Sequence, residues 1–160
     1  NLREETIEET VIDEKGKEKK VKKKVKIADL HAVSEYADYF MPFDPETGLG
    51  SRLWSQDMRL NYFNITSIMN THNDYLNIYG RVFLNDLKRE LGLPLTVAGQ
   101  AVGWLKDNSP DQIGDNRVLI SIEEVRVRNS RDELVPALLL DYNVDGNIID
   151  RAAAKGLLAV

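Results

Sequence analysis

Ala137-Leu138-Leu139-Leu140-Asp141-Tyr142-Asn143-Val144-Asp145-Gly146-Asn147-Ile148 is the stretch on which the fold turns. From Asp141 onward it matches the first eight positions of an EF-hand calcium loop: Asp141, Asn143 and Asp145 alternate, glycine holds the sixth position and an apolar residue the eighth. The twelfth position, which should supply a bidentate glutamate, is Ala152, and Asp150 at the tenth does not replace it. The preceding Ala137–Leu140 run suits a strand rather than an entering helix. An extended chain also places Asp141, Asn143 and Asp145 on one side and Tyr142 and Val144 on the other without any metal. The stretch therefore predicts a strand, a two-residue Asp145-Gly146 turn and a returning strand from Asn147 to Ile149. Asp141, Asn143 and Asp145 are kept as the candidate metal ligands; no other cofactor is implied.

Working outward, Val118–Ile122 and Val125–Arg128 read as strands, and Asn129–Asp132 as the turn before a strand over Val135–Val144. The clearest helix runs from Ser55 to Tyr79. Met58, Tyr62, Ile65, Met69, His72, Leu76 and Tyr79 recur at alternating spacings of four and three, one apolar stripe. Leu60, Phe63, Ile68 and Ile78 widen it, which predicts a helix buried on more than one side and allows oligomerisation. His72 lies in the stripe, and with His31 as the only other histidine it reads as a structural residue. A second helix is expected over Leu84–Leu91, with Asn85 as a cap and Gly92 at its stop, and a third over Val97–Trp104. That pair imitates a helix-turn-helix, but residues 96–104 carry one Gln and no positive charge to read bases. Gly99 and Gly103 point instead to close packing on another element.

The charge is uneven. Residues 1–28 hold nine basic and seven acidic side chains, while residues 29–160 hold 12 and 19, so the body is acidic and nucleic-acid binding is not expected. Residues 1–28 form a charged N-terminal arm, a candidate β-hairpin turning at Lys15-Gly16; residues 29–160 form a single domain. The Lys19–Lys26 run offers proximity to a membrane or phosphate surface, partly neutralised by the neighbouring acids. Cysteine is absent, which excludes disulfides, thiolate metal sites and a cysteine nucleophile. There is no phosphate-cradling glycine loop, nucleophile elbow or histidine cluster, so the expectation is a protein without catalytic residues.

Leu53-Trp54, the long helix, Gly80-Arg81-Val82-Phe83-Leu84-Asn85, Leu91-Gly92-Leu93-Pro94, Ala98-Gly99, Val102-Gly103-Trp104, Gly114-Asp115-Asn116 and Leu139–Gly146 follow one another in a shared order. From Tyr39 onward that order resembles a family of uncharacterised proteins encoded by tailed phages and prophages of Gram-positive bacteria. The resemblance implies a soluble C-terminal domain, often downstream of a membrane-hairpin-like region, which fits a first residue that is not Met. It implies no active site. The expected fold is α+β: one long amphipathic helix and two short helices packed on a small antiparallel sheet from residues 116–150, with the charged arm. The expected function is a non-enzymatic phage accessory or structural protein acting through protein contacts or self-association, at the virion, in the host cytoplasm or at the inner membrane face. The alternatives are a calcium-stabilised binding module using Asp141, Asn143 and Asp145, and a phage factor that binds a host protein.

Overall fold

The apolar run before Asp141 is a strand covered on both faces, and that burial organises the molecule. The structure is a computed structural model, and it describes residues 2–28 and 36–158; His31 lies outside the described residues. In chain order the elements are β1 (Leu2–Ile12), β2 (Glu18–Ala28), β3 (Ala37–Phe40), α1 (Met58–Tyr79), β4 (Arg81–Phe83), α2 (Leu84–Glu90), a 3-10 turn (Ala98–Gln100), β5 (Val102–Leu105), β6 (Ile120–Arg128), β7 (Leu134–Tyr142), β8 (Gly146–Asn147) and α3 (Ile149–Ala154).

The strands form two sheets, one of five in the order β1-β2-β6-β7-β3 and one of three in the order β4-β5-β8. On β7, Leu138, Leu140 and Tyr142 face a large core with Ile65, Leu76, Trp104 and Ile120. Ala137 and Leu139 face the other way, into a second cluster with Tyr39, Met41, Val125 and Val127. A strand buried on both faces loses its alternation, which is why Ala137–Leu140 reads as a continuous apolar run.

These findings correct the expected architecture. The sheet is neither single, nor small, nor wholly antiparallel, because β2 joins β6 in parallel through Ile27 and Ala28. β1 and β2 pair in antiparallel register over eleven residues each, and the last two residues of β2 attach this hairpin to the edge of the main sheet. The expected helix over Val97–Trp104 is a 3-10 turn followed by β5. The glycines are the reason. A Cβ at Gly103 would lie 2.0 Å from the Val82 carbonyl oxygen, and one at Gly99 would lie 2.1 Å from Asn85 Oδ1. The close approach indicated by the sequence is real, but at Gly103 it is met by strand pairing. The returning hairpin is also absent. Of Asp145 and Gly146 the second alone has a positive φ, 99°, and the chain leaves β7 to pair Gly146 and Asn147 with Gly103 and Val102.

Helix α1 begins at Met58 because Asp57 accepts the Arg59 amide, 3.0 Å, and it ends at Gly80, φ 80°. Ser55, two residues before the cap, is held by Asn61, which accepts from the Ser55 amide and donates to the Ser55 carbonyl, both at 2.8 Å. Asn73 grips Val118 at both backbone groups, 2.9 and 2.7 Å, fixing α1 against the chain entering β6. Asn85 does not cap α2; it holds Thr96 in the same two-handed way, 2.7 and 3.1 Å.

Candidate interaction surface

The candidate ligands of the Asp141–Asp145 stretch do not converge. Asp141 is exposed on β7 between Ser121 and Ala37. Asn143 Oδ1 accepts from the Trp104 indole, 2.7 Å, and from the Leu119 amide, 2.8 Å; its Nδ2 donates to the Arg117 carbonyl, 3.0 Å, and to Asp115, 3.3 Å. Asp145 Oδ2 accepts the Leu105 amide at 2.8 Å, and burial pushes its carboxyl pKa up. Two of the three side chains therefore join β7 to β5 and to the segment before β6. Ala152, where the calcium loop would need its glutamate, is buried against Leu105 and Ile148. Among the described residues no group of three or more His, Asp or Glu is placed to hold a metal ion.

Other buried charges are similarly occupied. Lys88 meets Asp38 at 3.2 Å, and Asp38 also accepts from the Tyr142 hydroxyl at 2.8 Å, linking α2, β3 and β7. Burial holds the Tyr142 phenol well above its ordinary pKa. Asp107, nearly inaccessible, binds Arg151 at 2.7 Å and Lys155 at 3.4 Å. Hydrogen bonds from Ser109 first, then from Arg151, hold its carboxyl well below the usual range. Asp44 accepts from the Ser130 amide and hydroxyl, 3.0 and 2.9 Å, tying the loop after β3 to the β6–β7 turn.

Apolar and aromatic side chains also stay open on α1. Helix α1 buries Asn61, Ile65, His72 and Leu76. Leu60, Phe63, Tyr75 and Ile78 are 45%, 67%, 39% and 70% exposed. The sequence reading placed Leu60, Phe63 and Ile78 in a widened buried stripe; the structure turns them to solvent. At 3.6 residues per turn, Leu60 and Ile78 stand about 140° around the helix from Ile65, so they cannot reach the same core. The second row was visible as a spacing, but its outward direction was not.

That row leads to a cleft of about 260 Å³ at the C-terminal end of α1, lined by His72, Tyr75, Tyr79, Arg81, Val82, Asp86, Arg89 and Glu90. His72 Nδ1 lies 2.8 Å from the Ile68 carbonyl; only a protonated nitrogen can donate there, so Nε2 is left for the cleft. Its ring stands edge-on to Tyr75 at 5.3 Å, and Tyr75 and Tyr79 lie 6.0 Å apart. Arg81 donates to the Leu157 carbonyl at 2.8 Å, and Arg89 meets Asp86 at 3.4 Å. Beyond Asp86 and Arg89 a shallower groove carries Leu95 and Val97, the latter 86% exposed. Tyrosine and arginine beside exposed apolar side chains are the composition of protein-contact hot spots. The alternating spacing of residues 58–79 contained half of this surface; the cleft unites residues from α1, β4 and α2 and had no local signal.

The hairpin is the other exposed feature. Its register puts Lys20, Lys22, Lys24 and Lys26 on one face with Glu4 and Glu8, and Ile7, Val11 and Val21 on the other. Ion pairs from Lys26 to Glu123 and from Arg126 to Glu9 draw it towards β6. Between them lies a groove of about 590 Å³, with Lys23, Lys24, Glu123, Glu124 and Arg126 on its walls. No helix among the described residues is long and apolar enough to cross a membrane.

No curated protein and no solved structure matches the chain. A family model matches residues 1–152, so the shared pattern reaches back through the hairpin and forward into α3. The chain belongs to that family, a family of unknown function (DUF6353).

Proposed function

We propose that this chain is a non-enzymatic, phage-encoded accessory or structural protein, and that it works by protein contact through the outward face of α1 and the adjoining cleft. The observation that carries this reading is the row Leu60, Phe63, Tyr75 and Ile78, held outward on a helix whose opposite side is fully anchored. Single exposed apolar residues are ordinary; two pairs of them on one helix, Leu60 with Phe63 and Tyr75 with Ile78, the second pair beside a Tyr- and Arg-lined cleft, support a contact surface. Support for a phage setting is the ordered set of motifs from Leu53-Trp54 to Asp145-Gly146. The partnered state of Asp38, Lys88 and Asp107 supports a structural role for the buried charges over a catalytic one.

The test is a photoreactive side chain at position 63, compared with one at exposed Thr66 off the row, in phage-infected cells. A defined adduct from position 63, lost when Ile78→Asp is added and absent from position 66, is expected. Equal adducts from the two positions, or none from 63, overturn the reading. Mass spectrometry of purified virions then assigns the contact to the particle or to the infected cell.

A further inference from the structure

His72 is 2% exposed, yet it lines the cleft at the end of α1. Its Nδ1–H donates to the Ile68 carbonyl at 2.8 Å, so Nε2 carries a lone pair, and no group among the described residues donates to it. A buried acceptor that opens into a cleft marks where a donor belongs, because burial without a partner is unfavourable. We propose that this cleft is the anchor pocket for a tyrosine side chain of a protein partner, whose phenol hydroxyl donates to His72 Nε2. The inference rests on the contact surface proposed above and names the residue that surface grips.

Size and polarity choose the occupant. A volume of about 260 Å³ lies below the roughly 300 Å³ at which sites for whole small-molecule ligands begin, and it suits one side chain. The walls are the Tyr75 and Tyr79 rings, 6.0 Å apart, and Val82. Those two rings touch each other, so an incoming ring lies across them, in the offset or edge-on arrangements that aromatic pairs prefer. The His72 ring stands edge-on to Tyr75 at 5.3 Å, so the acceptor adjoins the aromatic wall.

Charge narrows the choice further. The rim sets Arg81 and Arg89 against Asp86 and Glu90, two charges of each sign. Arg89 meets Asp86 at 3.4 Å, and Arg81 donates from Nε to the Leu157 carbonyl at 2.8 Å. A phosphate or carboxylate finds no net positive field here, and a phenylalanine leaves Nε2 unpaired. A neutral ring with one donor meets both conditions, and a rim guanidinium is in reach of its face. Tyrosine carries that donor at the tip of the ring, where it reaches the buried end of the cleft; the indole N–H of tryptophan lies at the side of a larger bicycle.

The test is a titration with N-acetyl-tyrosinamide, read in the long-range proton–nitrogen spectrum of the histidine side chains. The chain has two histidines, and His31→Gln leaves the His72 signals alone in that spectrum. The expected result is an upfield shift of Nε2 as it accepts the phenol, saturating between about 0.1 and 10 mM, the range of a single side chain. N-acetyl-phenylalaninamide, which lacks only the hydroxyl, is expected to bind about fivefold more weakly, the worth of one hydrogen bond, and to lack that shift. Tyr75→Ala is expected to weaken the tyrosine amide by about fivefold or more, and Val97→Ala, outside the cleft, to leave it unchanged. Equal binding of the two amides, or binding without the Nε2 shift, overturns the anchor. So does a shift with p-cresol where the capped amide gives none, since a free phenol then occupies the cleft. If neither amide moves Nε2 while position 63 still gives its adduct, the anchor is refuted and the contact surface stands. If the tyrosine amide moves Nε2 while position 63 gives no adduct, the anchor stands and the outward row of α1 is refuted.

Discussion

Asn73, Asn85 and Asn143 do in this protein what secondary structure does elsewhere: each satisfies both a donor and an acceptor of a distant backbone segment. Replacing Asn85 with Ala leaves the Thr96 amide and carbonyl unpaired beside a mostly buried site, and should cost about 2–3 kcal/mol in urea unfolding. Lys88→Met strands the Asp38 carboxylate and should cost about 3–5 kcal/mol, with part of the loss restored by removing Asp38 as well. The acids give opposite pH signs. Asp107 and Asp44 have folded pKa values below the unfolded one, so their stabilisation is present above about pH 4 and is lost as the solution is acidified. Asp145 is raised by burial, so its contribution is greatest below about pH 4 and falls as pH rises through the folded value. Asp107→Asn should therefore lower Tm at pH 7 and flatten the acid limb, whereas Asp145→Asn should hold or raise Tm at pH 7. The polarity of Asp141, Asn143 and Asp145 was legible in the sequence. Their partners were not, because Trp104, Leu105 and Leu119 lie 24 to 40 residues away and no local rule connects them.

At the scale of elements, local periodicity identified the segments that depend on it. α1, α2 and β7 follow from helical or extended patterning within their own residues, with boundaries shifted by caps such as Asp57, whereas the two strands expected over Val118–Ile122 and Val125–Arg128 are one strand, β6, running through Glu123 and Glu124. β5 and β8 do not, because each is made a strand by a neighbour: Gly103 by the backbone of Val82, Gly146 and Asn147 by β5. Gly103→Ala should consequently destabilise by about 1–3 kcal/mol or more, since the added methyl meets backbone that cannot rotate away. The two rows of α1 separate just as sharply. Ile65→Ala should cost about 2–5 kcal/mol, while Phe63→Asp should change stability by no more than about 0.5 kcal/mol. Chemical denaturation of both variants checks the assignment of faces, and a large loss for Phe63→Asp would mean that the row is core.

For the whole molecule, one sheet face carries α1 and the other carries the loop after β3 with the base of the hairpin, which leaves Leu60, Phe63 and Ile78 exposed on the outward side of α1. The hairpin reaches away from this body as a two-stranded ribbon, a form that is marginal alone, and it is attached through Ile27, Ala28 and the ion pairs to β6. Its opposed Glu and Lys strands should loosen as salt screens them, with faster amide exchange near Lys15-Gly16 than at Ile27. If the exposed side of α1 is the contact surface, Leu60, Phe63 and Ile78 are covered when the protein works. Hydroxyl-radical footprinting measures this directly, by comparing the dilute purified chain with the protein in the cells that make it. Phe63, Tyr75 and Ile78 are expected to be oxidised in the dilute chain and protected in the cell, while Trp104 is protected in both. Equal oxidation of Phe63 and Ile78 in the two settings would contradict it.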